Sequence, residues 1–143
     1  MITAEQVMTK EVISVKRDTP IREAMHIMLA NSISGLPVVD DDMTLVGIVS
    51  EKDVVSLAYN IIYQTDNLER KKVCNFMTER AVSFDKDENL LDVCDFLAKN
   101  LFRRVPITSK GKLVGIISIT DIIEYTLKLI REREDAAASV DLL

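Results

Sequence analysis

The chain repeats itself, and this duplication limits the available folds more than any other feature. Met8–Asp53 aligns with Met77–Asp121 at an offset of 69 residues, which becomes 68 after a one-residue gap near Asp40–Thr44. Twelve of 45 aligned pairs are identical, among them Met8/Met77, Thr9/Thr78, Asp18/Asp87 and Pro37/Pro106. The identities cluster in L-V-G-I-x-S-x-x-D, present at Leu45–Asp53 and again at Leu113–Asp121. A unit of about 50 residues buries too little surface to be comfortable alone. Two such units are therefore expected to share one core.

Each unit reads in the same order. A short extended piece, Val12–Val15 or Ala81–Phe84, leads into a polar turn at Lys16–Pro20 or Asp85–Asn89. Apolar residues at helical spacing follow: Ile21, Ala24, Met25, Met28 and Leu29, matched by Leu90, Val93, Cys94 and Leu97. Asp18 and Asp87 are expected to cap these helices, with Pro20 in the first turn. Strands are expected at Gly35–Val39 and Arg104–Thr108, then at Thr44–Val49 and Leu113–Ile117, with tight turns between them. A closing helix opens at Ser50 or Ser118, each suited to an N-cap. The fold class is thus α+β: two β-α-β-β-α repeats packed sheet to sheet with pseudo-twofold symmetry.

The units are expected at residues 7–56 and 73–126, with a connecting segment at 57–72 and a C-terminal helix end and tail at 127–143. The connecting stretch begins as a continuing helix (Leu57, Ile61, Ile62) and turns polar at Gln64–Lys72. Thr3-Ala4-Glu5-Gln6 has a capping-box pattern that predicts one helical turn. The acidic, Ala-rich tail Asp135–Leu143 is expected to fray.

Composition narrows the chemistry. Apolar residues make up 48% of the chain and charged residues 29%, enough for a core and too apolar for global disorder. A net charge of −5 argues against nucleic acid as a partner. No window reaches the ~18 uninterrupted apolar residues of a membrane span, and MITAEQVMTK holds no secretory signal. The expected location is the cytoplasm. Cys74 and Cys94 form no C-x-x-C pair, and Cys94 reads as a small buried hydrophobe. With His26 as the only histidine, the four Cys or His ligands usual for structural zinc cannot be assembled. A Ser-His-Asp triad has no other position to use, and no G-x-S-x-G elbow frames a serine. No metal, cofactor or catalytic residue is expected.

Both units resemble the cystathionine-β-synthase (CBS) domain, and the pair resembles the tandem arrangement called a Bateman module. The resemblance rests on M-T at the start of each unit and on I-S-G-L-P-V-V-D (Ile33–Asp40) against F-R-R-V-P-I (Phe102–Ile107). It rests further on L-V-G-I-V-S-E-K-D against L-V-G-I-I-S-I-T-D. It covers roughly Gln6 to Tyr125. It implies a regulatory module that binds adenosine-containing ligands, AMP, ADP or ATP above all, in clefts between the units. It also implies a homodimer of pairs and a separate effector protein.

Carried over by resemblance, cleft one combines Ser50, Lys52 and Asp53 with Ala81, Val82, Arg103, Arg104 and Pro106. Cleft two combines Ser118, Thr120 and Asp121 with Val12, Ile13, Ser34 and Pro37. The chemistry separates them. Cleft one gathers three cations beside a carboxylate that can accept from both hydroxyls of a ribose, and arginine grips phosphate bidentately. Cleft two offers hydroxyls and no cation. A blander role stays open for both aspartates, which can simply stabilise their own helix starts by ~0.3–1 kcal/mol each. Two other functions also stay open: an interaction module with ligand-free clefts, and a small enzyme, for which no nucleophile–base pair speaks.

Overall fold

The computed structural model describes residues 1–63 and 70–141. The first unit holds α1 (Ile21–Asn31), β1 (Gly35–Val39), β2 (Leu45–Ser50) and α2 (Glu51–Tyr63). The second holds β3 (Thr78–Glu79), β4 (Phe84–Asp85), α3 (Leu90–Lys99), β5 (Arg104–Ser109), β6 (Lys112–Ser118) and α4 (Ile119–Asp141). Ile21, Ala24 and Met28 bury one face of α1, and Leu90, Val93 and Leu97 bury the matching face of α3. This i, i+3, i+7 spacing is the stripe an amphipathic helix turns toward a sheet. The α1 face meets Leu36, Val38 and Val49 in one core, and the α3 face meets Val105, Ile107 and Ile117 in the other.

The two sheets are three-stranded, in the orders β1-β2-β3 and β4-β5-β6. Strand β3 comes from the second unit yet pairs with β2 of the first, Gly47 opposite Glu79 and Ile48 opposite Thr78. In return Thr9 of the first unit bridges Ile116 of β6. Each unit's opening segment is therefore exchanged. Short 3₁₀ turns at Ala4–Gln6 and Val73–Asn75 precede the exchanged residues. Ala4 is buried in the second core and Val73 in the first.

The bonds that hold the exchange come in pairs. Ala4 N–H donates to Glu88 O and Val73 N–H to Thr19 O, at 2.9 and 2.8 Å. Glu5 N–H donates to Lys86 O and Cys74 N–H to Arg17 O, both at 2.9 Å. The hairpin tips also meet across the pseudo-twofold: Leu45 N–H donates to Gly111 O and Leu113 N–H to Met43 O. Thr3 N–H donates to the Gln6 side-chain oxygen at 2.7 Å, and Lys72 N–H to that of Asn75 at 2.9 Å. The duplication thus reaches back to Thr3 and Lys72.

Three local expectations need correction. Asp18 and Asp87 cap nothing, because α1 and α3 begin three residues beyond them. Pro20 holds the cap position of α1, and Asn89 caps α3 by accepting from Leu91 N–H at 3.0 Å. The pieces at Val12–Val15 and Ala81–Phe84 are mostly unpaired. Only Val15 bridges Val38, while Phe84–Asp85 forms a two-residue strand parallel to β5. The tail does not fray at Asp135: α4 continues to Asp141, through three alanines of the highest helix propensity. The connecting helix runs to Tyr63 as expected, and the polar stretch 64–69 lies outside the described residues.

Candidate functional site

The end of β2 and the start of α2 are fixed by one box of hydrogen bonds. Ser50 N–H and Ser50 Oγ–H both donate to Asp53 Oδ2, at 2.7 and 3.1 Å. In the second unit Ser118 N–H donates to Asp121 Oδ2 at 2.8 Å, and Asp121 N–H donates back to Ser118 Oγ at 3.1 Å. Both aspartates therefore do cap their own helices. They differ in what remains. Thr9 Oγ–H donates to Asp121 Oδ1 at 3.1 Å, so both oxygens of that carboxylate are engaged. Among the described residues, Asp53 Oδ1 has no such partner.

A cavity of about 560 Å³ lies between the units, within the usual size of small-molecule sites. Ser34, Pro37, Ser50 and Lys52 line it from the first unit, and Arg103, Arg104 and Pro106 from the second. Ile48, Ile116 and Phe102 give it apolar walls. Phe102 is 55% exposed and stacks on Phe96, with ring centroids 5.6 Å apart. Arg104 Nε is buried there without a hydrogen-bond partner, an arrangement that costs free energy until an acceptor arrives. Among the described residues, Lys52, Arg103 and Arg104 make no ion pair.

The structure brings together five of the cleft-one residues, Ser50, Lys52, Arg103, Arg104 and Pro106, around that cavity. It adds two from cleft two, Ser34 and Pro37. Asp53 is half-buried one helical turn behind Ser50 and does not line the wall. Ala81 lines a separate hollow of about 130 Å³ with Gly47 and Arg80, and Val82 is exposed. Of cleft two, Ser34, Ser118 and Thr120 line a second cavity of about 790 Å³. Asp121 stands behind Ser118, while Val12 is half-buried, Ile13 is exposed, and neither lines either of these two cavities.

The second cavity is of another kind. Met25, Leu29, Val55, Ile119 and Ile123 make it an apolar groove between α1, α2 and α4. It shares Ser34, Glu51, Arg103 and Arg104 with the first. Glu51 and Lys99 were missed from sequence, although the offset comparison held the signal for Lys99, whose counterpart is Ala30. Burial raises the pKa of the Cys94 thiol, which keeps it protonated and unreactive. No group of three or more metal-ligating side chains occurs among the described residues.

The CBS domain family model matches residues 4–60 and 73–128. The structure of CBSX2 in complex with AMP superimposes with a TM-score of 0.79 at 30% identity, covering 90% of this chain and 98% of that one. CBSX2 is a chloroplastic protein of Arabidopsis thaliana. The CBS domain pair of MJ0100, in complex with 5′-methylthioadenosine and S-adenosyl-L-methionine, superimposes at 0.71 with 26% identity, covering 88% and 96%. Among curated sequences, inosine-5′-monophosphate dehydrogenase of Methanocaldococcus jannaschii is 34% identical over 122 residues, 85% of this chain and 23% of that protein. MJ1225 of the same organism is 31% identical over 119 residues, which are 83% of this chain and 41% of that protein. This chain thus spans less than half of either relative. Two family matches in one chain, on a fold shared with solved pairs, place it in the CBS domain family as a tandem pair.

Proposed function

We propose that this chain is a non-catalytic regulatory module that senses an adenosine nucleotide in the 560 Å³ cavity. The observation that carries this reading is the convergence of Lys52, Arg103 and Arg104 from two units on one cavity, with Arg104 Nε buried and unsatisfied. A phosphate would supply the missing acceptor. The ribose would lie toward Ser50 and would have to reach past it to the open oxygen of Asp53 behind the wall, with the adenine against Ile48, Ile116 and Phe102. Similar pairs that hold AMP, or 5′-methylthioadenosine with S-adenosyl-L-methionine, support this ligand class. Cleft two would stay empty or take a neutral adenosine end, since Thr9 already occupies Asp121. A separate effector protein in the cytoplasm would receive the signal.

Titration calorimetry with AMP and adenosine tests the phosphate role. Affinity should fall on going from AMP to adenosine, and AMP binding should weaken with added salt. Equal binding of the two compounds would remove Arg103 and Arg104 from the site. Failure of both to bind would favour an interaction module.

The homodimer is part of the proposal. Val55, Tyr59 and Ile62 on α2 are 68, 67 and 75% exposed, and Ile123 and Leu127 on α4 are 54 and 55% exposed. Each set shares one face of its own helix, and exposed apolar faces of this kind mark an interaction surface that a second copy would cover. Sedimentation at micromolar concentration should give twice the chain mass of 16.1 kDa. A monomer would overturn the assignment.

A further inference from the structure

The two units diverge where the 560 Å³ cavity lies. Its four cations are Lys52, Lys99, Arg103 and Arg104. Their counterparts across the repeat are Thr120, Ala30, Ser34 and Gly35, none of them charged. Every positive charge of the cavity thus stands at a position whose counterpart in the repeat is uncharged, against the single carboxylate of Glu51. This excess exceeds what one phosphate, with about two negative charges, requires.

Lys99 is the informative member. It ends α3, and its ammonium contacts Asp95 at 3.0 Å in a pair whose side chains are 72 and 62% exposed. Exposed pairs at this spacing hold weakly, so Lys99 can leave Asp95 for a stronger anion. Lys52 stands on the first unit and Lys99 on the second, so an anion held by both would be gripped from the two units. Arg103 and Arg104, adjacent at the start of β5, suit bidentate contacts to a phosphate next to the ribose.

We infer that the cavity selects an adenosine di- or triphosphate over the monophosphate, with Lys99 as the residue that recognises the outer phosphates. This inference rests on the nucleotide reading above. The Lys99 side chain is 72% exposed, so its replacement is expected to leave the fold intact.

The experiment is calorimetry of AMP, ADP and ATP, without divalent cations, against the parent, Lys99→Met and Lys99→Arg. The parent should bind ATP and ADP at least roughly tenfold more tightly than AMP. Lys99→Met should lose roughly five- to tenfold in ATP and ADP affinity and leave AMP within about twofold, and Lys99→Arg should restore the difference. Three results would overturn the inference: equal binding of AMP and ATP by the parent, an unchanged ATP affinity in Lys99→Met, or an equal loss for AMP. Binding of AMP with any of these keeps the nucleotide reading and rejects only the selectivity. Absence of binding by all three compounds rejects both.

Discussion

Gly47→Ala should destabilise the fold by about 1–3 kcal/mol and lower the melting temperature by roughly 3–10 °C. In an ordinary strand the same change would stabilise by ~0.5–1 kcal/mol, because alanine surrenders less backbone freedom on folding. Here a Cβ at position 47 would stand 2.6 Å from Thr78 O and 3.2 Å from Met77 Sδ. The first neighbour is backbone of β3 and cannot turn aside, so the exchanged strand must lift from β2. Gly111→Ala is the contrasting variant. Its Cβ meets open space, and only the φ of +80° opposes it, at a cost of about 1–2 kcal/mol. Urea denaturation distinguishes them, since loosening of the exchange lowers the slope with denaturant as well as the midpoint. A Gly47→Ala protein as stable as its parent would show that β3 is not seated on β2.

Asp53→Asn should reduce AMP affinity by roughly 10- to 150-fold, the loss of one charge-assisted hydrogen bond of about 1.5–3 kcal/mol. The amide oxygen can keep the two bonds from Ser50, leaving the amide NH₂ where Oδ1 was open. A ribose hydroxyl would then meet a donor where it needs an acceptor. Asp121→Asn should leave AMP binding within about twofold, because Asp121 already serves Ser118 and Thr9. Folding should survive both changes with at most the ~1 kcal/mol of a helix-start carboxylate. Calorimetry beside thermal melts reads the two quantities separately. An Asp53→Asn protein that binds AMP like its parent would reduce Asp53 to a helix cap.

Local pattern was legible wherever neighbours in sequence are neighbours in space. The bounds of α1 and β1 follow from periodicity and from the Gly35 break, and Ser50 and Ser118 stand before their helices as the motif implies. The glycine of L-V-G-I is a point of close approach in both units. What approaches it was not legible: a two-residue strand at Thr78–Glu79 is too short to show a pattern, let alone which sheet it joins. Nor could spacing reveal that Lys99, far along the chain from Lys52, faces the same cavity. The cap misreading has a similar origin, since Asp18 and Asp87 are good cap residues displaced by a turn only three residues long. At α4 the acidic tail suggested fraying from Asp135, but the alanines beside it keep the helix to Asp141.

The crossed opening segments bear on the order of events during synthesis. Val73 and β3 complete the core of α1, β1 and β2, so that core stays open until residues well beyond α2 have been made. Ala4 and Thr9 meanwhile have no seat until α3 and β6 exist. The first core can close once Glu79 has been made, whereas the second must wait for β6. Contacts of such high sequence separation slow the search for the native state, and the unpaired edge of β2 is exposed to intermolecular pairing for as long as the search lasts. The same interlock that makes folding slow makes the finished protein hard to open piecemeal, because freeing either opening segment removes β3 from β2 or the Thr9 bridge from β6.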